Sequence, residues 1–169
     1  MTLDLLIFQS INNLANQSSI VDFLFIWTTH LGYIAIAIIV LLSKKKKPVI
    51  NSFLAAVLGK AIEESIKLIP YFYRARPFID KKVNLLVINY PTSSFPSGHT
   101  IVAFALALPL LYYNKKLGII ATVLAILVGF SRIFVGVHYL SDVFGGVLIA
   151  VISVVITHYF TKHIVLKYV

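Results

Sequence analysis

The chain has 169 residues, of which 59% are hydrophobic and only 12% are charged, and its formal net charge is +9. A soluble domain carries about 25% charged residues, so these charges are too few to cover a water-facing surface, and lipid must contact much of the fold. The absence of cysteine excludes disulfides and thiolate metal sites. Because the basic residues form short clusters between apolar runs, they indicate membrane topology and no nucleic-acid partner.

Residues 1–18 are amphipathic. Apolar and amide side chains alternate at helical spacing, with Leu3, Leu6, Ile7, Ile11 and Leu14 opposite Gln9, Asn12, Asn13 and Asn16. This pattern predicts a helix that lies in the membrane interface. Asp4 comes early and no basic segment precedes it, so we expect no cleavable signal peptide.

Five apolar runs are long enough, or nearly so, to cross a hydrocarbon core of about 30 Å. They are residues 21–42, 49–69, 97–113, 117–135 and 141–160. The sequence therefore predicts an all-α integral membrane helix bundle of one domain over 1–169, with five transmembrane helices plus the N-terminal interfacial helix. The long connection 70–96 contains four prolines and should not form a continuous helix. Its apolar stretch 83–90 could lie on the membrane or cap a site.

The lysines predict the orientation. Three clusters fall on one side of a five-span chain, namely Lys44–Lys47, Lys115 with Lys116, and Lys162 with Lys167. By the positive-inside rule this side is cytoplasmic. Arg74 and Arg76 then lie on the opposite, extracytoplasmic face, against the rule, which indicates that they bind an anion there.

Pro96, Ser97 and Gly98 are typical of the start of a helix. The first turn of a helix has free N–H groups and a partial positive charge, and this combination binds phosphate. His99 follows directly and could exchange a proton with the bound anion. An ordinary helix cap with an interfacial histidine would have the same sequence, so this cluster alone leaves both interpretations open.

A second cluster joins Ser131 and Arg132 to His138 and Asp142. The last two are four residues apart, a spacing that allows a carboxylate to orient an imidazole and raise its nucleophilicity. Arg132 could donate two hydrogen bonds to phosphate oxygens. The alternatives are a plain ion pair for His138 and Asp142 and a membrane-surface anchor for Arg132.

Together these motifs resemble the type 2 phosphatidic acid phosphatase family of membrane lipid phosphatases. Pro96-Ser97-Gly98-His99 matches its middle motif, and Ser131-Arg132, His138 and Asp142 match its last motif in residue type and spacing. The resemblance implies a six-helix type core in a bacterial inner membrane and an extracytoplasmic site. It also implies hydrolysis without metal or other cofactor, acting on a lipid phosphate among membrane lipids. It leaves the oligomeric state open.

The first motif departs from the family pattern, in which six residues separate a lysine from Arg-Pro. Here eight residues separate Lys67 from Arg76, and Ile69 occupies the usual lysine position. Either Lys67 still reaches the phosphate or Arg74 supplies the missing charge. Lys67 also has a structural alternative, since Glu63 precedes it by one helical turn.

The resemblance implies roles for these residues. His138 attacks phosphorus, Asp142 orients His138, and His99 protonates the leaving oxygen. Phosphate ligands are Arg76, Arg132, Ser97 and the Gly98 amide, with Lys67 or Arg74 assisting. Undecaprenyl diphosphate is the first expected substrate, and lipid A 1-phosphate, phosphatidylglycerophosphate and phosphatidic acid stay open. From a different class, a transporter or channel would also place charged residues within a span.

Overall fold

The computed structural model describes residues 2–163, apart from the side chains of Asp80 and His163. Lys167, which was assigned to a cytoplasmic cluster, lies outside the described residues. Within this range the protein is built of α-helices, and one long connection precedes α5. The helices are α1 (Leu3–Asn12), α2 (Ser19–Leu42), α3 (Lys46–Lys67), α4 (Pro77–Asp80), α5 (Gly98–Tyr113), α6 (Lys115–Phe134) and α7 (Leu140–His163), with a 3-10 turn at Pro70–Phe72.

Helix α5 lies at the centre of the bundle and packs against α2, α3, α6 and α7. Small residues make this close packing possible, because Ala103, Ala105 and Ala107 are completely buried on α5. The neighbouring α6 contributes Ala121 and Ala125, which are also completely buried. By contrast, large apolar side chains on the outer faces of α2, α6 and α7 are exposed, as expected of surfaces that contact lipid.

Three helices within the described part of the chain are long and apolar enough to cross a membrane, namely α2, α6 and α7. Helix α5 is apolar but has only 16 residues. Helix α3 has 22 residues but carries lysine and glutamate side chains along its length. The structure therefore confirms an all-helical membrane protein, whereas the number of five spans stays a prediction.

Helix α1 docks on the bundle through a different face from the one that the sequence pattern suggested. Phe8 is fully buried, and its ring lies 5.4 Å from that of Tyr139. Asn12, predicted to face water, is buried and donates hydrogen bonds to the carbonyl oxygens of Phe134 at 2.8 Å and Asn84 at 2.9 Å. The pattern misled because an asparagine can be buried where backbone carbonyls accept its hydrogen bonds. The helix also ends at Asn12, before the predicted boundary at 18.

The connection between α5 and the preceding helices folds over one end of the bundle. The Leu86 amide donates to the Val135 carbonyl at 3.2 Å, and Val87 is buried beneath it. On the other side of this contact, Gly136 has a φ of 89°, a left-handed conformation that favours glycine. This turn reverses the chain between α6 and α7 and carries His138 towards the start of α5.

Candidate active site

A cavity of about 430 Å³ opens at the end of the bundle where α5 begins. It is lined mainly by charged and polar side chains, although the surrounding helices are apolar. The lining residues predicted from the sequence are Arg76, Gly98, His99, Arg132, His138 and Lys67. Six positions separated by up to 71 residues along the chain thus meet in one place. Asp142 lies directly behind His138, outside the cavity.

His138 lies between two partners of opposite charge. Its Nδ1 is 3.5 Å from Asp142 Oδ2, and its Nε2 is 3.2 Å from Arg76 Nη1. A guanidinium can only donate hydrogen bonds. The contact with Arg76 therefore requires a lone pair on Nε2, and it leaves the ring proton on Nδ1, facing the carboxylate. The lone pair of the imidazole is therefore on Nε2, on the side of Arg76.

Asp142 is held in place from several directions. It is completely buried, and its Oδ2 accepts a hydrogen bond from the Tyr139 amide at 2.8 Å. Its own carbonyl accepts a hydrogen bond from the Ser97 amide at 3.1 Å. The last contact joins the beginning of α7 to the beginning of α5. The imidazole of His138 and the first turn of α5 are therefore fixed relative to each other.

The two arginines of the cavity are buried and differ in their partners. Arg76 donates to the carbonyl oxygens of Thr92 and Val137, each at 3.1 Å, which fixes its orientation. Arg132 is 3% exposed and donates from Nη1 to Thr29 Oγ1 at 3.0 Å. Among the described residues, Arg132 Nε has no hydrogen-bond partner. A buried N–H group without a partner is costly, and an anion in the cavity would supply one.

Burial and the nearby carboxylates change the pKa values of Arg76 and His138. Burial lowers the pKa of Arg76, and the charges of Asp142 and Glu63 oppose this. Burial also lowers the pKa of His138 to about 4, although the nearby Asp142 carboxylate acts in the opposite direction. The imidazole is therefore neutral at physiological pH. A neutral nucleophile beside fixed guanidinium groups is well suited to attack on a phosphate ester.

The first residues of α5 line the cavity, whereas the predicted phosphate ligand Ser97 is not among the lining residues. Gly98 and His99 line the cavity, and the His99 ring meets the edge of Tyr33 at 5.5 Å. Ser97 is completely buried, and its hydroxyl accepts a hydrogen bond from Thr100 Oγ1 at 2.9 Å. The Ser97 side chain makes no cap to the α5 amides. The first turn of α5 is therefore left for another hydrogen-bond acceptor.

Lys67 lies where it could contact a phosphate group, and it also pairs with Glu63. It lines the cavity, and its Nζ also donates to Glu63 Oε1 on the same helix. Lys60 donates to Glu63 Oε2 at 2.7 Å and to Glu64 Oε1 at 3.0 Å. Glu63 itself is 2% exposed and lines the cavity. A buried carboxylate thus lies among the cations of the candidate phosphate site.

Arg74 lies on the far side of Asp142, away from the cavity. Its Nη1 donates to Asp142 Oδ1 at 2.8 Å and to Ser141 Oγ at 2.5 Å, and its Nη2 donates to Asp4 Oδ2 at 2.6 Å. Burial alone would lower the pKa of Arg74, but Asp4 and Asp142 outweigh it and raise the pKa. Arg74 is therefore not brought together with the other predicted phosphate ligands.

The sequence did not assign five of the lining residues to the cavity, namely Tyr33, Lys60, Glu63, Asn89 and Val102. Tyr33 comes from the middle of α2, Asn89 from the long connection, and Glu63 from α3. The charge of Glu63 inside an apolar run was an available signal, and it was interpreted as a partner for lysine. Tyr33 and Asn89 had no distinguishing pattern. Within residues 2–163 no three His, Asp or Glu side chains are arranged to hold a metal ion, and metal independence stays a prediction.

The chain is similar to known proteins in sequence and in fold. Residues 48–165 match the PAP2 superfamily. Undecaprenyl-diphosphatase BcrC of Bacillus subtilis is 32% identical over 86% of this chain and 78% of its own length. The crystal structure of LpxE from Aquifex aeolicus is 34% identical with a TM-score of 0.78, and the match covers 94% of this chain and 96% of LpxE.

A second solved structure is similar over nearly the same range. The transmembrane PAP2 type phosphatidylglycerolphosphate phosphatase of Bacillus subtilis has a TM-score of 0.71 at 26% identity, covering 95% of this chain and 85% of its own. The superfamily match spans most of the chain and includes every residue that lines the cavity except Tyr33. The chain therefore belongs to the PAP2 superfamily, and it is a membrane phosphatase.

Proposed function

We propose that the protein hydrolyses a membrane lipid phosphate or diphosphate through a phosphohistidine on His138, with undecaprenyl diphosphate as its first candidate substrate. The observation that carries the proposal is the geometry of His138, which lines the cavity and whose Nε2 lies 3.2 Å from Arg76 Nη1 while Nδ1 faces Asp142. The Arg76 guanidinium is a hydrogen-bond donor in a fixed position. Such donors stabilise the charge that develops on a transferring phosphoryl group.

The reaction has two steps. In the first, His138 Nε2 forms a bond to phosphorus as the bond to the leaving oxygen breaks, and His99 gives that oxygen a proton. In the second, water attacks the phosphohistidine, His99 takes a proton from the water, and inorganic phosphate leaves with His138 restored. Arg76, Arg132 and the α5 amides hold the phosphoryl oxygens in both steps, and Lys67 assists.

Three similar proteins with different names support the choice of candidate substrates. The match to the undecaprenyl-diphosphatase of Bacillus subtilis favours an isoprenoid diphosphate. The similarity to LpxE and to a phosphatidylglycerolphosphate phosphatase favours lipid A 1-phosphate or a glycerophospholipid monophosphate as second candidates. All of these substrates present a phosphate at the end of a lipid, which suits a cavity beside exposed apolar helix faces.

The purified protein should be given each lipid in detergent with EDTA present, and released phosphate should be measured. We expect the highest kcat/KM with undecaprenyl diphosphate. A radiolabelled substrate should leave acid-labile, base-stable phosphate on the protein, and none on the His138→Ala variant. A transporter with this fold would release no phosphate from any lipid, and that result would reject the proposed reaction.

In the proposed topology α2, α3, α5, α6 and α7 all cross the bacterial inner membrane, and α1 lies in its outer interface. The lysines after α2, at the start of α6 and at the end of α7 support a cytoplasmic position for those ends. The cavity then opens on the periplasmic face. A cysteine at Lys82 should react with impermeant thiol reagents in intact cells, and a cysteine at Lys45 should not. The reverse labelling would place the site on the cytoplasmic face.

A further inference from the structure

Glu63 lies against the beginning of α5. A β-carbon built on Gly98 would be 2.7 Å from Glu63 Cδ and would overlap both carboxylate oxygens. The carboxylate therefore occupies the space directly beside the first residue of the helix. Glycine at position 98 leaves room for the Glu63 carboxylate, because it has no β-carbon.

The same space is where an anion is expected to bind. The first turn of α5 has no cap from the Ser97 side chain, and its residues Gly98 and His99 line the cavity. Arg132 lines the same cavity, and its Nε has no hydrogen-bond partner in the part of the chain that the structure describes. The cavity is thus built for an anion, and Glu63 is already one.

The cations near Glu63 would also be available to a phosphate group. Lys67 donates to Glu63 Oε1 and lines the cavity, while Lys60 holds the other carboxylate oxygen at 2.7 Å. A phosphate close to the beginning of α5 would attract Lys67 and repel the Glu63 carboxylate. This repulsion is strong in a buried site, because little water screens it.

We propose that Glu63 is an internal anion that competes with phosphate for this site. In the free enzyme its carboxylate neutralises Lys67 and the positive end of α5. When a phosphate group binds, the carboxylate moves away from it. The inference rests on the proposed function, because it takes the cavity as the phosphate site. Its consequence is that the inorganic phosphate product binds weakly and leaves readily.

The test is a calorimetric titration of the purified full chain in detergent with inorganic phosphate. Glu63→Gln should bind phosphate about tenfold more tightly than the unmodified protein, since a buried like charge is removed. Glu64→Gln is the matched control. Glu64 lies one residue further along α3, is paired with the same Lys60 and is 61% exposed, so its removal should change the affinity less than about twofold.

A decrease in the phosphate affinity of Glu63→Gln would identify a different role for Glu63. If Glu63 only positions Lys67, then Glu63→Gln and Lys67→Gln should both bind phosphate more weakly than the unmodified protein. Equal or weaker binding by Glu63→Gln, with the protein still folded, would overturn the proposal. The titration involves no turnover. A protein that cleaves lipids but has no tighter binding in Glu63→Gln therefore rejects only this inference.

Glu63→Gln leaves two lysines without their buried partner, and it could fail to fold. The double variant Glu63→Gln/Lys67→Gln exchanges the ion pair for two amides and avoids this problem. Its phosphate affinity should be about tenfold higher than that of Lys67→Gln alone. An unchanged or lower affinity in this comparison would also overturn the proposal. If no variant binds phosphate, both this inference and the proposed phosphate site are rejected.

Discussion

Arg74 and Asp142 form an ion pair behind the candidate nucleophile, with Arg74 Nη1 donating to Asp142 Oδ1 at 2.8 Å. The other oxygen of the same carboxylate faces His138. Arg74 is also held by Asp4 on α1, and its guanidinium lies 4.0 Å above the ring of Tyr139. Helix α1 is thereby connected to His138 through two ion pairs in series.

We expect Arg74→Ala to lower kcat about tenfold with little change in phosphate affinity, because Asp142 loses the partner that orients it. The melting temperature should also fall, since Asp4 and Asp142 both lose an ion pair. Activity assays together with phosphate titrations of the variant separate these effects.

Lys82→Ala is the matched control for Arg74→Ala, because it removes an exposed cation from the same connection. It should leave kcat and stability unchanged. Arg74→Lys should recover part of the lost activity, since a lysine can still pair with Asp142. A loss of phosphate affinity in Arg74→Ala with kcat retained would instead make Arg74 a phosphate ligand.

Removal of the candidate nucleophile should abolish turnover while the protein stays folded. We expect His138→Ala to have no measurable activity, and Arg132→Ala to lose about 10²- to 10³-fold in kcat through weaker transition-state binding. His158→Ala is a suitable control. His158 lies on α7, as Asp142 does, but it packs against Tyr112, away from the cavity. Residual turnover by His138→Ala would contradict the phosphohistidine mechanism.

Lys67→Ala should lower both activity and stability, because Lys67 lines the cavity and also neutralises the buried Glu63. Removing one partner of a buried ion pair costs about 3–5 kcal/mol. Unfolding in urea and lipid hydrolysis should be measured on the same preparation. Full activity with a large loss of stability would assign Lys67 a structural role alone, and the reverse result would make it a phosphate ligand alone.

Activity should persist in excess EDTA, and vanadate should inhibit. The cavity offers cations, histidines and helix amides to its ligand, and trigonal-bipyramidal vanadate resembles the in-line transition state. His138 would be its apical ligand, so His138→Ala should bind vanadate much more weakly. An enzyme that is inactivated by EDTA and recovers with added metal would refute the mechanism.

The acid limb of the kcat/KM profile should lie well below the ordinary pKa of histidine. Burial lowers the pKa of His138 from 6.5 to about 4, so the nucleophile stays unprotonated in mild acid. In the unfolded chain the same histidine takes up its proton near 6.5. The free energy of unfolding should therefore fall as the pH is lowered through this window, and be unaffected by His138 above it. An acid limb near 6.5 would contradict the burial of a neutral imidazole, as would a free energy of unfolding with the same dependence on pH between 4 and 6.5 in His138→Gln as in the unmodified protein.

The sequence predicted much of the site because its motifs are local. His138 and Asp142 are separated by four positions, and Gly98 and His99 begin one helix, so short-range geometry fixed their relationships. The partners of Arg74 could not be predicted in this way. Asp4 is 70 residues distant, and only the docking of α1 through buried Phe8 brings it near. The number of spans stayed open because α5 is short and α3 is charged.

The short length of α5 affects how deep its first turn lies in the membrane. Its 16 residues extend about 24 Å, whereas the 24 residues of α7 extend about 36 Å and a hydrocarbon core measures about 30 Å. If α5 crosses the bilayer in the proposed topology, its first turn cannot reach the level of the surrounding headgroups when its other end does. The scissile phosphate must then descend several ångströms towards the acyl chains to meet His138. A lipid diphosphate could do so without withdrawing its tail from the membrane, whereas a water-soluble phosphate ester would have to leave its hydration shell behind.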